Sequence, residues 1–150
     1  MNHDVCIDAS LALSWLLPEE QSNIIDALFL EWDRKGLRLI TAPLFHAEVT
    51  SVIRRQVYFK RLQPERGEHI FSLYLQMQVE SIGEQEVYKR AWELAKIFNL
   101  PKTYDAQYVA VAELKDCEFW TNDRRLINSL QAKVPRIKWA GEYNLGKQRI

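Results

Sequence analysis

Residues 5–17 read Val5-Cys6-Ile7-Asp8-Ala9-Ser10-Leu11-Ala12-Leu13-Ser14-Trp15-Leu16-Leu17, and the change of pattern inside them decides the fold. Val5-Cys6-Ile7 is a short continuous apolar run closed by Asp8, which predicts a strand buried on both faces. From about Ser10 to Leu17 the chain reads as helix, and Pro18 stops it. A buried strand that feeds directly into a helix is the first half of a strand–helix–strand unit.

The same alternation continues along the chain. A second helix is expected from about Glu20 to Arg34, with Ile24, Ile25, Leu28 and Trp32 at core spacing, and Gly36 ends it. Arg38 to Thr41 reads as a strand. Pro43 stands near the start of a long helix reaching about Arg61, and Pro64 begins another that carries Ile70, Leu73, Tyr74 and Met77. A weaker strand pattern covers Val79 to Ile82. An amphipathic helix follows from Glu84 to Phe98 through Val87, Ala91, Leu94 and Ala95. Thr103 is placed to cap a helix to about Leu114. Glu118 to Thr121 is a strand, Arg124 to Leu130 a helix, and Ile137 to Ala140 a last strand. Strands alternating with helices imply an α/β fold whose parallel sheet is covered on both faces. Ligands of such sheets bind beyond the carboxyl ends of the strands, near the topological switch point.

At 150 residues, with no repeat, low-complexity tract or linker, the chain reads as one domain, residues 1–150. Apolar residues make up 47% and charged residues 27%, an ordinary globular composition. Twenty Lys and Arg balance twenty Asp and Glu, so a polyanion has to be held by a local patch or by metal ions. Without an opening signal segment or an apolar run of membrane-spanning length, the expected location is the cytoplasm, with no membrane contact. Cys6 and Cys117 are too few and too far apart for a zinc knuckle or redox pair. Each is read as a small buried hydrophobe in a strand.

Four carboxylates interrupt the apolar pattern. Asp8 and Asp123 sit at the carboxyl ends of predicted strands. Glu48 shares a helical stripe with Leu44, Phe45 and Val52, and Asp105 shares one with Val109 and Ala112. Asp105 also lies in the first turn of its helix, where the macrodipole favours negative charge. Singly, Asp105 and Asp123 also fit helix caps or turns, and Asp8 fits a cap for the first helix. Together they suggest one acidic pocket assembled from distant parts of the chain. Ionised groups are rarely buried unless paired or metal-bound. An oxygen-only cluster without His or Cys argues against zinc and for Mg²⁺ or Mn²⁺, hence for phosphodiester chemistry.

Three stretches carry a further signal: VCIDASLALSWLLPEE (5–20), TAPLFHAEVTSVIRR (41–55) and YDAQYVAVAELKDCEFWTNDRRL (104–126). In order and spacing they strongly resemble PIN-domain proteins, and within these the VapC-type toxins of toxin–antitoxin pairs. The resemblance implies a three-layer α/β/α sandwich around a central, mainly parallel sheet. It also implies a metal-dependent endoribonuclease that leaves 5′-phosphate and 3′-hydroxyl ends. By position, Asp8, Glu48, Asp105 and Asp123 match the family's four acids. Asp8 and Asp105 would be the principal Mg²⁺ (or Mn²⁺) ligands and Asp123 would complete or bridge the site. Glu48 would act through water or orient the nucleophile. Ser10 and Thr121 match positions where hydroxyls support the site. RNA as substrate, a cognate antitoxin covering the pocket and a homodimer are implied in the same way. The alternative is a PIN scaffold that holds RNA or protein without cutting. Another α/β phosphate enzyme is disfavoured, since neither GxxxxGK[ST] nor GxGxxG occurs and Asp8-Ala9-Ser10 lacks a DxD pattern.

Arg54, Arg55, Lys60 and Arg61 follow Glu48, and Arg124-Arg125 follow Asp123. They fit either a solvated face or phosphate-holding cations. Trp15, Trp32 and Trp92 stand at core-like spacing for core packing or an interface, and Tyr104 is the aromatic placed to meet a base. His3, His46 and His69 form no ligand pair and are read as non-catalytic.

Overall fold

The computed structural model describes residues 2–17 and 22–143. Pro18, Glu19 and Glu20, expected as helix stop, solvated acids and helix start, lie outside the described residues. Five strands form one parallel sheet in the order β3-β2-β1-β4-β5: β1 (Asp4–Ile7), β2 (Arg38–Thr41), β3 (Glu80–Ser81), β4 (Phe119–Thr121) and β5 (Ile137–Trp139). Seven helices among the described residues connect and cover them: α1 (Ala9–Leu16), α2 (Ser22–Arg34), α3 (Leu44–Tyr58), α4 (Pro64–Gln76), α5 (Gln85–Ile97), α6 (Tyr104–Leu114) and α7 (Arg124–Leu130). Helix α1 packs against α2 and α3, while α5 and α6 form a second packed pair with α6 against β1. This is the expected α/β layering.

Strand order explains where a site can form. From β1 the chain steps outward to β2 and β3, then returns to the other side of β1 as β4 and moves on to β5. The reversal leaves a crevice beyond the carboxyl ends of β1 and β4, the topological switch point. Cys6 pairs with Phe119 and Ile7 with Trp120, which brings Asp8 opposite Thr121 where the strands end.

The core follows the predicted periodicity. Val5, Cys6, Ile7, Ile40 and Phe119 fill the sheet, and Ile25, Leu28 and Trp32 of α2, Phe45, Val49 and Ile53 of α3, and Val87, Ala91, Leu94 and Ala95 of α5 seal it. Ile24, Leu73, Tyr74 and Met77 are only partly covered.

Several expectations are corrected. Asp8 is the N-cap of α1 and not the last strand residue, because its side chain accepts the orphan Leu11 N–H. Helix α3 stops at Tyr58, three residues short of Arg61. There Phe59 caps it and Lys60 takes φ 60°, with Lys60 and Arg61 N–H donating to the Val57 and Gln56 carbonyls. The strand expected over Val79–Ile82 shrinks to two residues at the sheet edge, where only β2 pairs with it. Thr103 holds the N-cap position of α6, but its hydroxyl accepts from Gln107 Nε2 (3.1 Å) and caps nothing. Ala140 opens a 3₁₀ turn after β5. Cys117 lies two residues before β4, outside any strand, although both thiols are buried and free. Trp92 is 61% exposed on the outer side of α5 and belongs to no core.

Candidate active site

The four acids come from four different helices or helix ends, two of them, Asp8 and Asp123, as N-caps. The tight turn from β1 into α1 makes Asp8 an N-cap, and its carboxylate is nearly inaccessible, at 5% exposure. Its Oδ1 accepts from Ser10 Oγ (2.7 Å) and Leu11 N–H (3.0 Å), and its Oδ2 accepts from the Thr121 hydroxyl. Burial outweighs these three bonds and pushes Asp8 up from 3.8 to about 6, with Asp123 adding to the rise.

Asp123 begins α7 in the same manner. Its Oδ1 caps Arg125 N–H (3.0 Å) and Leu126 N–H (3.3 Å), and its Oδ2 lies 3.7 Å from Arg125 Nη2. Its own N–H donates to Thr121 Oγ1 (3.0 Å), so one hydroxyl joins Asp8 to Asp123. The cap readings of Asp8 and Asp123 are therefore correct, and they are also what seats both acids at the switch point.

Asp105 stands in the first turn of α6, half-buried. Among the described residues its carboxylate accepts no hydrogen bond, unlike the other three. Burial and Asp123 raise its pKa, against the pull of Arg125 and Lys102. A partly desolvated carboxylate without a donor carries a cost that a bound cation would relieve.

Glu48 departs from the sequence reading. It is exposed at the crevice rim, while Phe45, Val49 and Ile53 make the buried face of α3. Tyr108 holds it: the buried phenol, stacked on Phe119 (5.7 Å, 9°), donates to Glu48 Oε1 at 2.9 Å. That bond ties α6 to α3 through one side chain. Burial and Glu48 keep Tyr108 protonated far above its usual range. Although the residue is exposed overall, its carboxylate is partly desolvated, and this with Asp105 raises the Glu48 pKa against the pull of the Tyr108 hydrogen bond.

The four acids thus interact electrostatically in one crevice: Asp8 with Asp123, Asp123 with Asp105, and Asp105 with Glu48. Among the described residues no three His, Cys, Asp or Glu side chains converge into a ready-made metal cage. Mg²⁺ rarely uses one; it keeps several waters and takes one or two carboxylates. An all-oxygen donor set with Asp105 lacking a hydrogen-bond donor fits such an ion.

Ser10 and Thr121 sit as expected, their hydroxyls 3.1 Å apart, and Asn122 N–H donates to Ser10 Oγ (3.0 Å). Sequence reasoning missed Tyr108, Asn122 and Ser14. Asn122 Nδ2 donates to Ser14 Oγ (2.7 Å), locking the turn after β4 onto α1. The available signal for Tyr108 was its place one turn after Asp105, the only polar-tipped side chain in the run Tyr108–Ala112. Of the flanking groups, Arg124 covers the Trp139 ring (4.8 Å) and Lys102 the Tyr104 ring (5.7 Å), with Tyr104 exposed at the rim. His46 Nδ1 bonds the Tyr74 hydroxyl (2.6 Å), a link between α3 and α4. Among the described residues no helix is long and apolar enough to cross a membrane.

Comparison with known proteins gives this geometry a family context. The PIN domain matches residues 5–130. A VapC ribonuclease of Mycobacterium bovis and ribonuclease VapC9 of Mycobacterium tuberculosis are each 31% identical to the chain over 131 residues, covering 87% of it and 94% of the relative. Among solved structures, a toxin–antitoxin complex from Klebsiella pneumoniae superposes with a TM-score of 0.67 at 15% identity, over 91% of this chain and 97% of that one. VapBC2 from Rickettsia felis, bound to a promoter DNA fragment, gives 0.65 at 11% identity over 91% and 96%.

Proposed function

The chain belongs to the PIN-domain family, and from that premise we propose that it is a metal-dependent endoribonuclease, the toxin of a toxin–antitoxin pair. The observation that carries the reading is the buried Asp8 at the switch-point crevice, bonded through Thr121 to Asp123 and joined electrostatically to Asp105 and Glu48. Relatives at 31% identity are named ribonucleases, and structural neighbours are toxin–antitoxin complexes, which supports the substrate class and the partner.

Asp8 and Asp105 would be the principal ligands of a hydrated Mg²⁺ or Mn²⁺, with Asp123 completing the site through bound water; the ion would supply an activated water and neutralise charge on the phosphate. The chain's own groups then have separate tasks. Ser10, Leu11 N–H and Thr121 fix the Asp8 carboxylate, so binding costs no side-chain ordering there. Tyr108 occupies Glu48 Oε1 and leaves Oε2 to accept a proton from the attacking water. Desolvation and Asp105 raise the Glu48 pKa, the direction that makes it a stronger base. Arg125, beside Asp123, offers its remaining N–H groups to a phosphate oxygen. The products are a 5′-phosphate and a 3′-hydroxyl. A cognate antitoxin that covers the crevice, a homodimeric assembly and a cytoplasmic location complete the reading.

Divalent titration tests the metal requirement before any substrate is known. Mg²⁺ or Mn²⁺ at about 100 times its Kd should stabilise the fold by about 2.7 kcal/mol through linkage. The rise in Tm should vanish in Asp105→Asn. An unchanged Tm at millimolar metal would favour a PIN scaffold that binds without cutting.

A further inference from the structure

Helix α3 leaves the acidic crevice as a cationic and aromatic arm. Glu48 stands in its second turn, and Ser51, Arg55 and Phe59 follow at three, seven and eleven residues, spacings that keep them on or beside the same side. At about 1.5 Å per residue, Arg55 lies about 10 Å and Phe59 about 16 Å beyond Glu48 along the axis. All are exposed, and Tyr58 and Phe59 present 66% and 55% of their surface.

Residues 54–66 hold Arg54, Arg55, Lys60, Arg61 and Arg66 against Glu65 alone, a local charge of +4 (five minus one) in a chain of zero net charge. Among the described residues none of these five pairs with a carboxylate, while eight ion pairs form elsewhere. Arg54 lies over the Tyr58 ring (5.9 Å) and Arg61 over the Phe59 ring (5.7 Å). A merely solvated face explains free cations, but not two adjacent exposed aromatic rings, packed edge to face at 5.0 Å, interleaved with them. Protein interfaces also favour Arg and aromatic residues, so what discriminates here is the uncompensated local charge of +4. Unpaired cations beside stacking faces match single-stranded nucleic acid, which takes cations along its backbone and rings against its bases.

We propose that this arm is the track for the single-stranded RNA flank on one side of the cleaved phosphodiester. Arg55 and its neighbours neutralise phosphates, and Tyr58 and Phe59 stack bases. The inference rests on the endoribonuclease reading above and adds where the substrate lies. It also answers how an acidic crevice holds a polyanion in a neutral protein.

The test compares a single-stranded RNA of about fifteen nucleotides with a dinucleotide, whose lone phosphodiester cannot span the roughly 16 Å to Phe59. Arg55→Gln and Tyr58→Ala, both at exposed positions, should each raise KM for the long RNA about tenfold. Both should leave kcat and dinucleotide turnover unchanged. Arg55→Gln should also reduce the salt slope of long-RNA binding in EDTA by about 0.7. Unchanged KM and salt slope, or equal losses on both substrates, would overturn the track. So would variants that keep RNA kinetics and lose only antitoxin binding, which would make the arm a protein-docking face. If the wild type cuts neither substrate but still holds long RNA in EDTA through these two residues, the track stands and the nuclease reading fails.

Discussion

Asp8 pays for its position, since burial raises its pKa to about 6 even with three hydrogen bonds. With the folded pKa above the unfolded value of 3.8, the folded state holds the extra proton between these values. Metal-free stability therefore falls as pH rises from about 4 to above 6, by a contribution on the order of 3 kcal/mol. Asp8→Asn should remove that slope in chemical denaturation across this window. It should be at least as stable as wild type at neutral pH, because Asn caps a helix as well as Asp does. If Asp8→Asn instead unfolds, the acid is structural. Tyr108 makes the second prediction at this scale. Tyr108→Phe should cut activity about 10–100-fold by freeing Glu48, and Tyr108→Phe/Glu48→Gln should be no slower than Glu48→Gln alone. Additive losses would assign Tyr108 a purely structural role. Asp8 and Asp123 were legible in the sequence because each stood where an apolar strand ended, whereas Glu48 lies off the buried side of its helix. Tyr108 was not legible, because its partner Glu48 lies 60 residues away on another helix and no local rule pairs them.

Helix ends show what local chemistry could and could not foretell. Gly36 ended α2 as read, at φ 67°, with Gly36 and Leu37 N–H donating to the Asp33 and Trp32 carbonyls. The same closure ends α3 at Lys60, α5 at Asn99 and α6 at Asp116, all at positive φ. Lys gives little warning of a left-handed residue, which is why the end of α3 lies three residues before the expected Arg61. Exposure of Trp92 was missed for a related reason: helical spacing fixes a side, while neighbouring elements decide what covers it. The α3–α4 hairpin offers the test at this scale. A Cβ on Gly67 would stand 2.4 Å from Val57 Cγ2, the stiff branch of a helical valine. Helix propensity alone favours Gly67→Ala by about 1 kcal/mol, but the clash should make it destabilising by about 1–3 kcal/mol. Thermal melts of Gly67→Ala and Gly67→Ala/Val57→Ala decide the sign, and the second variant should recover most of the loss.

In the whole molecule the decisive feature is the reversal of strand order between β1 and β4. Alternating strands and helices made a parallel sheet readable, and the resemblance supplied the sandwich. Periodicity cannot reveal strand order, because nothing in Phe119-Trp120-Thr121 marks Val5-Cys6-Ile7 as its neighbour. That pairing turns two ordinary helix caps, Asp8 and Asp123, into facing acids, and α6 and α3 add Asp105 and Glu48 at the same mouth. The cationic arm on α3 balances this concentration of negative charge within a neutral chain. We propose that the four acids work as one metal-dependent site for RNA. The most direct test is cleavage of single-stranded RNA by wild type and Asp105→Asn, with Mg²⁺ and with chelator, and with mapping of the product ends. Wild type should give 5′-phosphate ends in Mg²⁺ only, and an Asp105→Asn protein that remains folded should give none. Cleavage that survives chelation, or that persists in folded Asp105→Asn, would contradict the proposal.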